Sequence, residues 1–486
     1  MWDSPIMVCG YDPPPFPDPV ASSTRLPPEI LGEIFLQSLP NLRESDVGYD
    51  RGHTQLEESG SRYRQAVSSL GRVCKYWRDV SIATPKIWSR IILTHSLQNP
   101  HKVEIWLQRS AQCPLTLRSL LTFWDLKDIV PEVLAQAQRW EDVKLDTDYR
   151  AWDDLSTRVV QFPFLHSLSI KYVTTDANSS LLQEGKWKLH ILAPLLSNLE
   201  LKTDESVMWD IRLLDIRLPL SQLTNLRLNA AIEAPEMFEL LRRSRNLVSF
   251  GICVDYLHKL NLVHATPTIH LPLLESLDVD GDLDRGEGAW FLPYLDLPAL
   301  TKFRCRAPVA RIWPFTALAT LVSRSHCSLH TLIINLAMNL GVATTWNNGA
   351  IECLEKLPDL VSLEIEGPGT NQLTTASFFR HLNGNSPHIL RESCLVPRLK
   401  QFRMEINGIQ HVEFKAFIDM LQSRFQLTSP GAFEPLETVA LARRKVDLSP
   451  GPILEIFTLK VKGKDILAQD QNGIEIPLEN IPGLFI

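Results

Sequence analysis

Apolar residues recur with helical spacing in two stretches near the beginning of the chain. Residues 26–39 begin with Leu26 and a proline pair, which suits a first helical turn, and continue with apolar residues three and four apart. Residues 66–82 repeat this spacing, with charged residues on the other side. Residues 41–64 are rich in charge and interrupted by Gly and Ser, so we predict an exposed loop between the two helices. Residues 83–93 predict a turn and a short apolar strand.

From Trp140 onward, a short motif recurs, which we call the strand motif. It consists of an apolar residue, two free positions, an apolar residue, one free position and another apolar residue. Apolar and polar residues alternate within it, which is typical of a β-strand with one buried face. The strand motif begins eleven times at intervals of 24–39 residues, at Trp140, Leu165, Leu196, Leu223, Leu247, Leu274, Leu300, Leu329, Leu360, Leu399 and Leu436.

Proline precedes many of these motifs. Proline cannot continue a helix, and it pushes the residue before it into extended backbone, so it separates each strand from the preceding segment. Between the strands, helical spacing predicts helices at 234–246, 315–326, 376–382 and 412–425. In six of the eleven motifs a proline lies two residues before the first leucine, at Pro163, Pro194, Pro272, Pro298, Pro358 and Pro397.

A strand and a helix that repeat about every 30 residues are typical of a leucine-rich-repeat-like solenoid. One such unit cannot bury its own apolar face, so neighbouring units stack into a continuous core. The resemblance is to the repeat class only. The Asn or Cys expected three residues after the last apolar position is mostly missing, because Asn407 alone fits and Asp replaces it at 148, 204, 255 and 282. We therefore predict an irregular horseshoe.

The predicted fold class is α/β, with a short all-helical module followed by this solenoid. In the C-terminal cap, the alternation of Lys460, Lys462 and Lys464 predicts a final exposed strand. The predicted parts are a proline-rich unfolded lead-in at 1–25, the helical module at 26–93, an N-terminal cap at 94–139, the solenoid at 140–444 and a C-terminal cap at 445–486.

The two N-terminal helices resemble the F-box. The positions that agree are Leu26-Pro27-x-Glu29-Ile30-Leu31-x-x-Ile34-Phe35, then Leu70-x-x-Val73-Cys74-x-x-Trp77-Arg78, then Trp88. The resemblance covers residues 26–93, and the insertion at 41–64 is longer than the connection usual in the family. The chain resembles fungal F-box proteins that carry such insertions, followed by segments like Trp106-Leu-x-Arg109-Ser110 and Cys113-Pro114-Leu115.

This resemblance implies a three-helix module that docks on the adaptor subunit of an SCF-type cullin–RING ubiquitin ligase and, through it, on the cullin. The apolar residues of the two helices also outnumber what one helix–helix contact can cover, which indicates a partner. The solenoid would present its surface to an unknown protein substrate, so the chain would be a non-catalytic receptor subunit. The residues that we expect to contact the adaptor are Leu26, Pro27, Ile30, Leu31, Ile34, Val73, Cys74 and Trp77.

Two other classes of function stay open from the sequence. One is an F-box-containing interaction scaffold that acts outside any ubiquitin ligase. The other is an enzyme whose site is assembled from distant residues, although the chain has no G-x-S-x-G, no phosphate-binding glycine loop and no H-E-x-x-H. We therefore expect no catalytic residue, no cofactor and no metal.

Two clusters of possible metal ligands are interpreted as structural. The run Asp278-x-Asp280-Gly281-Asp282-x-Asp284 resembles the start of a calcium loop, but Leu283 stands where the turn needs glycine and Ala289 where a bidentate Glu is needed. The second cluster has no further ligand pair at a recognised spacing, and Leu329 begins a strand motif within it. It consists of His326, Cys327 and His330.

Composition limits which classes of partner and which cell compartment we expect. The 49 basic and 56 acidic residues give a net charge of −7, which does not favour nucleic acid. No apolar run approaches the roughly 20 residues of a membrane-spanning helix, and Asp3 stands where a secretory signal needs positive charge. The eight cysteines are far apart and form no C-x-x-C pair. We expect an intracellular protein of the cytoplasm or nucleus, with no membrane or nucleic-acid partner.

Overall fold

The computed structural model divides the chain into two compact units. The first unit comprises residues 1–155 and 160–165, and the second comprises residues 156–159 and 166–486. The structure describes residues 26–40, 52–93, 99–119, 130–147, 160–172, 191–203, 219–229, 232–253, 257–258, 268–281, 291–307, 314–336, 344–367, 373–383, 395–406, 411–425, 434–443 and 465–469.

The first unit begins with helices and continues with short parallel strands. Strand β1 pairs in parallel with β2, and β2 pairs in parallel with β3. The predicted cap at 94–139 contains helices α5 and α6 and strand β2, which the sequence did not predict. The elements are α1 (Pro28–Ser38), α2 (Gly52–Val73), α3 (Lys75–Ile82), α4 (Pro85–Trp88), β1 (Arg90–Leu93), α5 (Pro100–Arg109), β2 (Leu115–Ser119), α6 (Val130–Ala135), β3 (Trp140–Thr147) and β4 (Val160–Gln161).

The predicted exposed loop at 41–64 was wrong over residues 52–64, which belong to helix α2, while 41–51 lie outside the described residues. The buried positions Gly60, Tyr63 and Val67 are three and four residues apart, so this half of α2 has its own buried face. The glycine that suggested a loop marks a close contact instead. A Cβ atom on Gly60 would lie 2.8 Å from Cγ2 of Ile92.

The prediction of a single helix over 66–82 was also wrong, because the helix is interrupted at Cys74. The backbone of Cys74 is extended (φ −159°, ψ 173°), and its Sγ accepts a hydrogen bond from the N–H of Trp77 at 3.4 Å. Cys74 therefore caps the beginning of α3. Trp88 ends helix α4 and does not lie in the strand that follows.

Aromatic side chains form the core of the first unit. The Tyr63 hydroxyl donates to the carbonyl oxygen of Ile87 at 2.9 Å, and its ring lies 6.2 Å from that of Trp106 between centroids. Trp106 packs edge-on against Trp88 at 5.1 Å, and the Arg109 guanidinium lies 4.4 Å from the centre of the Trp88 ring. Tyr63 is 1% exposed, and this burial raises its pKa to about 12.

The second unit alternates strands and helices. Its described elements are β5 (Ser167–Tyr172), β6 (Ile191–Leu192), β7 (Asn198–Thr203), β8 (Asn225–Asn229), β9 (Ile232–Glu233), α7 (Ala234–Arg243), β10 (Ser249–Cys253), β11 (Leu257–His258), β12 (Ile269–His270), β13 (Ser276–Asp280), β14 (Leu295–Asp296), β15 (Lys302–Ala307), α8 (Phe315–Ser325), β16 (Thr331–Leu336), α9 (Thr344–Glu355), β17 (Ser362–Glu366), α10 (Ala376–Leu382), β18 (Gln401–Ile406), α11 (His411–Phe425), β19 (Thr438–Arg443) and β20 (Asp465–Gln469).

The main strands of this unit form one parallel sheet in the order of the sequence. From β5 onward the order is β5-β7-β8-β10-β13-β15-β16-β17-β18-β19-β20. Two further parallel pairs, β9 with β11 and β12 with β14, lie outside this sheet. The α/β class is therefore confirmed, as mixed α/β with a large parallel sheet.

The strand motif predicted the strand positions closely. Each motif leucine from Leu165 to Leu436 lies two residues before the beginning of a strand, and β3 begins at Trp140 itself. All of these motif leucines are buried, Leu436 being the most exposed at 5%. The four predicted helices are confirmed as α7, α8, α10 and α11, and α9 was missed. The described C-terminal strand is β20, whereas the three lysines at 460–464 lie outside the described residues.

Arginine side chains join segments that lie about one repeat apart in the sequence. Arg139 donates from Nε to the carbonyl oxygen of Cys113 at 3.1 Å, and Arg324 donates from Nη2 to that of Leu292 at 2.9 Å. In each pair the carbonyl lies 26 or 32 residues earlier, which is about one repeat. Arg139 thereby supplies a donor to the Cys113 carbonyl, whereas the Leu292 carbonyl also accepts from the backbone N–H of Leu295.

Arg424 is the most buried of these arginines, with 0% exposure. Its Nε donates to the carbonyl oxygen of Leu382 at 2.8 Å, and its Nη2 donates to that of Leu395 at 2.6 Å. Leu382 ends α10, so the arginine attaches α11 both to α10 and to the turn before β18. Such a buried cation is tolerated because several carbonyl oxygens accept from it.

We predict that Arg424→Met lowers the free energy of unfolding by about 3 kcal/mol or more, because it leaves buried carbonyl groups without donors. Urea unfolding followed by circular dichroism measures this loss. Arg398→Met is the matched control, since Arg398 is exposed and pairs with Asp359 at 2.7 Å, and its loss should cost less than about 1 kcal/mol. Equal losses in the two variants would contradict the role assigned to Arg424.

A second prediction concerns pH. The pKa of Tyr63 is raised from 10.0 to about 12, so its stabilising contribution is complete below pH 10 and is lost as the pH rises toward 12. In this window the wild type should lose about 1.4 kcal/mol per pH unit more than Tyr63→Phe does. Unfolding curves of both proteins from pH 8 to 12 give the difference, and parallel pH dependences would contradict the prediction.

Candidate functional site

The N-terminal helices expose large apolar side chains to solvent. Leu26 is 38% exposed, Ile30 53%, Ile34 46% and Val73 59%. Ile30 and Ile34 are four residues apart on α1 and therefore share one side of that helix. We call these four residues the N-terminal apolar face. Pro27, which precedes α1, is also exposed.

The other residues expected to contact a partner lie at least partly within the unit. Leu31 is 1% exposed, so it belongs to the core beneath α1 and not to the exposed set. Trp77 is half-buried, with its ring centroid 4.9 Å from that of Phe35. Cys74 is half-buried and caps α3. These three residues are therefore less accessible to a partner than the N-terminal apolar face is.

Specific contacts hold α1 in place. A Cβ atom on Gly32 would lie 2.9 Å from Oγ1 of Thr84, so glycine permits the close approach of α1 to the chain before α4. The hydroxyl of Tyr76 donates to the carbonyl oxygen of Leu26 at 2.7 Å, which fixes the chain just before α1. Ile30 and Ile34 are therefore presented from an anchored helix. Sequence reasoning missed Ile82, which is 40% exposed at the end of α3.

The second unit offers a surface of different character, the outer side of its parallel sheet. In β13, for example, Leu277 and Val279 are buried, while Ser276, Asp278 and Asp280 are half-exposed. In one row across the strands an acid, a base and an uncharged residue follow each other three times. The row is Glu200, Arg227, Gly251, Asp278, Arg304, Ile333, Glu364, Arg403 and Ala440.

The charges in and beside this row pair with one another. Arg227 lies 3.8 Å from Glu200 and 3.4 Å from Asp278. Arg306 lies 3.9 Å from Asp278 and 3.7 Å from Asp280. The two aspartates that resembled a calcium loop therefore face arginines, and Asp282 and Asp284 lie outside the described residues.

A second group of pairs follows further along the sheet. Arg403 lies 3.5 Å from Glu364 and 3.5 Å from Glu366, and Arg304 lies 3.8 Å from Glu366. These side chains are between 20% and 33% exposed. The outer side of the sheet is thus charged but locally neutralised, and each of its ion pairs contributes little to stability by itself.

Gly251 makes one of these pairs possible. It lies between Arg227 and Asp278 in the register, so the arginine must cross it to reach the aspartate. A Cβ atom on Gly251 would lie 3.1 Å from Cγ of Arg227. A larger residue would therefore displace the arginine from its partner.

The other candidate metal ligands lie at the end of α8 and in the segment before β16. His326 ends α8 with a left-handed backbone (φ 50°), and Cys327 is 9% exposed. Burial raises the pKa of the Cys327 thiol, which keeps it protonated. Among the described residues there is no group of three or more His, Cys, Asp or Glu arranged to hold a metal ion.

Comparisons with known proteins do not assign the chain to a family. No family model matches it, and no curated protein matches it. Of the helices that the structure describes, none is both long and apolar enough to cross a membrane.

We predict that Gly251→Val lowers the free energy of unfolding by about 1–2 kcal/mol, because it forces Arg227 away from Asp278. The test is a double-mutant cycle with Arg227→Ala, measured by urea unfolding. Once the arginine is truncated, the same valine should cost nothing or stabilise the strand, since β-branched residues suit strands. An equal loss in both backgrounds would show that the contact with Arg227 is not the cause.

Proposed function

We propose that this chain is the substrate-recognition subunit of an SCF-type cullin–RING ubiquitin ligase. In this proposal residues 26–93 are an F-box module that binds the adaptor subunit, and the second unit is a leucine-rich-repeat-like solenoid that binds a protein substrate. The observation that carries the proposal is the N-terminal apolar face. Large apolar side chains exposed on an anchored helix, in a chain segment that resembles the F-box, support a docking role.

The physical argument is the cost of hydration. Burying a fully exposed Ile or Val side chain gains about 1.5–3 kcal/mol, so a half-exposed one gains roughly half of that when it is removed from water. A partner with a hydrophobic groove would bury these side chains and so gain this free energy. Such grooves bind residues spaced by one helical turn, as Ile30 and Ile34 are. Because Leu31 and Phe35 are buried in the same helix, the exposed residues are not needed for the module's own core.

The charged sheet supports the second half of the proposal. Repeated strand-helix units bury the apolar side of every strand and leave the alternate residues facing outward. The substrate would be held near the conjugating enzyme, so that ubiquitin transfer gains rate from proximity. The chain itself supplies no catalytic group in this proposal.

We predict that Ile30→Asp combined with Ile34→Asp weakens binding to the purified adaptor subunit at least ~100-fold, because two charges would have to be buried in an apolar contact. Isothermal titration calorimetry measures the affinity. Leu273→Asp is the matched control, since Leu273 is 50% exposed in the second unit and its replacement should leave adaptor binding unchanged. Trp77→Ala should also weaken binding by ~2 kcal/mol or more, but it disturbs the packing on Phe35 as well.

The same proteins separate the ligase from a scaffold that acts outside it. Full-length tagged chain should co-purify a cullin together with the adaptor, and the double isoleucine variant should lose both. A wild-type chain that does not bind the adaptor would overturn the proposal. Adaptor binding without any recovered cullin would favour the scaffold.

A further inference from the structure

A cleft between α10 and α11 is lined by charged, polar and apolar side chains. It has a volume of about 360 Å³ and is lined by Arg380 and Asn383 from the end of α10 and by four residues of α11. Those four residues are spaced i, i+3, i+4 and i+7, so they form one side of the helix. They are Val412, Lys415, Ala416 and Asp419.

Buried contacts between α10 and α11 hold the two helices that form the cleft together. The ring centroids of Phe379 on α10 and Phe417 on α11 are 5.2 Å apart, and both side chains are fully buried. The buried guanidinium of Arg424 on α11 donates to the carbonyl oxygen of Leu382 at the end of α10. The two helices are therefore held together independently of the residues that line the cleft, and the cleft is preorganised.

Two cations line the cleft, Arg380 and Lys415. In the part of the chain that the structure describes, neither the Arg380 guanidinium nor the Lys415 ammonium has an ion pair or hydrogen bond. Some other cations of the second unit do have such partners. Lys400, for example, lies 3.1 Å from Glu434 and 3.0 Å from Glu437. Two unpaired cations beside one carboxylate give the cleft a positive balance in a chain whose net charge is −7.

The cleft also exposes apolar surface. Val412 is 64% exposed, and Ala416 lies one turn further along the same side of α11. A pocket for a small molecule is usually more enclosed than this, whereas a shallow cleft between helices suits a side chain or two from a polypeptide. The positive charges of Arg380 and Lys415 favour an acidic side chain, and the exposed Val412 favours an apolar side chain beside it.

We propose that the cleft between α10 and α11 binds an acidic segment of a partner polypeptide. A carboxylate of the segment lies between Arg380 and Lys415, and an apolar side chain of the segment covers Val412 and Ala416. An extended segment places residues i and i+2 on the same side, so an acidic residue two positions from an apolar one fits both contacts. In identifying this partner as the ligase substrate, and in that respect alone, the inference rests on the proposed function.

The probe is a fluorescein-labelled peptide of three Glu-Ser-Val triplets. The control peptide carries Gln in place of each Glu. Fluorescence anisotropy with the full chain should show at least ~10-fold tighter binding of the Glu peptide, and an affinity that falls as salt is added. Arg380→Gln combined with Lys415→Gln should weaken this binding at least ~10-fold. Asp419→Asn should strengthen it about two- to threefold, because it removes a repulsive charge.

The charge-matched control is Arg243→Gln combined with Lys356→Gln, two exposed cations elsewhere in the second unit. This control should change the affinity less than ~2-fold. The inference is overturned if the wild type binds the Glu peptide no better than the Gln peptide, or if the control weakens binding as much as the cleft variant does. Adaptor binding by the cleft variant is measured in parallel and should be unchanged. A wild type that fails to bind the adaptor would count against the proposed function alone.

Discussion

The second unit depends on the burial of the motif leucines between successive strands. Each main strand is five or six residues long and pairs with strands of the neighbouring repeats, so its backbone hydrogen bonds are complete only when the next repeat is in place. Leu223, Leu247, Leu274 and Leu300, for example, are all 0% exposed. Removing such a side chain from water contributes about 1.5–3 kcal/mol, and the contribution recurs at every repeat. The parallel order of the strands and their common register follow from this stacking.

Because the inner side supplies the stability, the outer side is free to carry charge. Neighbouring strands are about 4.8 Å apart, which places an acid on one strand within reach of a base on the next. Where an uncharged residue intervenes, the pair must span two strand spacings, and Gly251 shows how this is achieved: without a side chain of its own, it lets Arg227 extend to Asp278. The pairs hold the charged groups in defined positions more than they stabilise the fold.

The strand positions could be predicted because a two-residue alternation after a leucine is a local signal. The half of α2 over 52–64 could not, since its buried side depends on contacts with residues far along the chain, such as that of Gly60 with Ile92. The break at Cys74 depends on a single cap that helical spacing does not reveal. The candidate site, too, could be predicted only in part from the sequence. Amphipathic spacing identified Ile30 and Ile34, but it does not tell a residue that faces a partner from one, like Leu31, that faces the unit's own core.

The N-terminal apolar face and the cleft between α10 and α11 rely on different forces. The first gains affinity from the removal of apolar surface from water, which added salt weakens little. The second relies on Arg380 and Lys415, whose attraction for an acidic segment is screened within about 10 Å at 0.1 M salt. The first is built from one compact unit and the second from the other. Neither surface uses a residue of the other, so a change in the affinity of one requires no change in the other. The function that we propose for the chain requires this independence, because a receptor subunit has to keep its adaptor while it exchanges substrates.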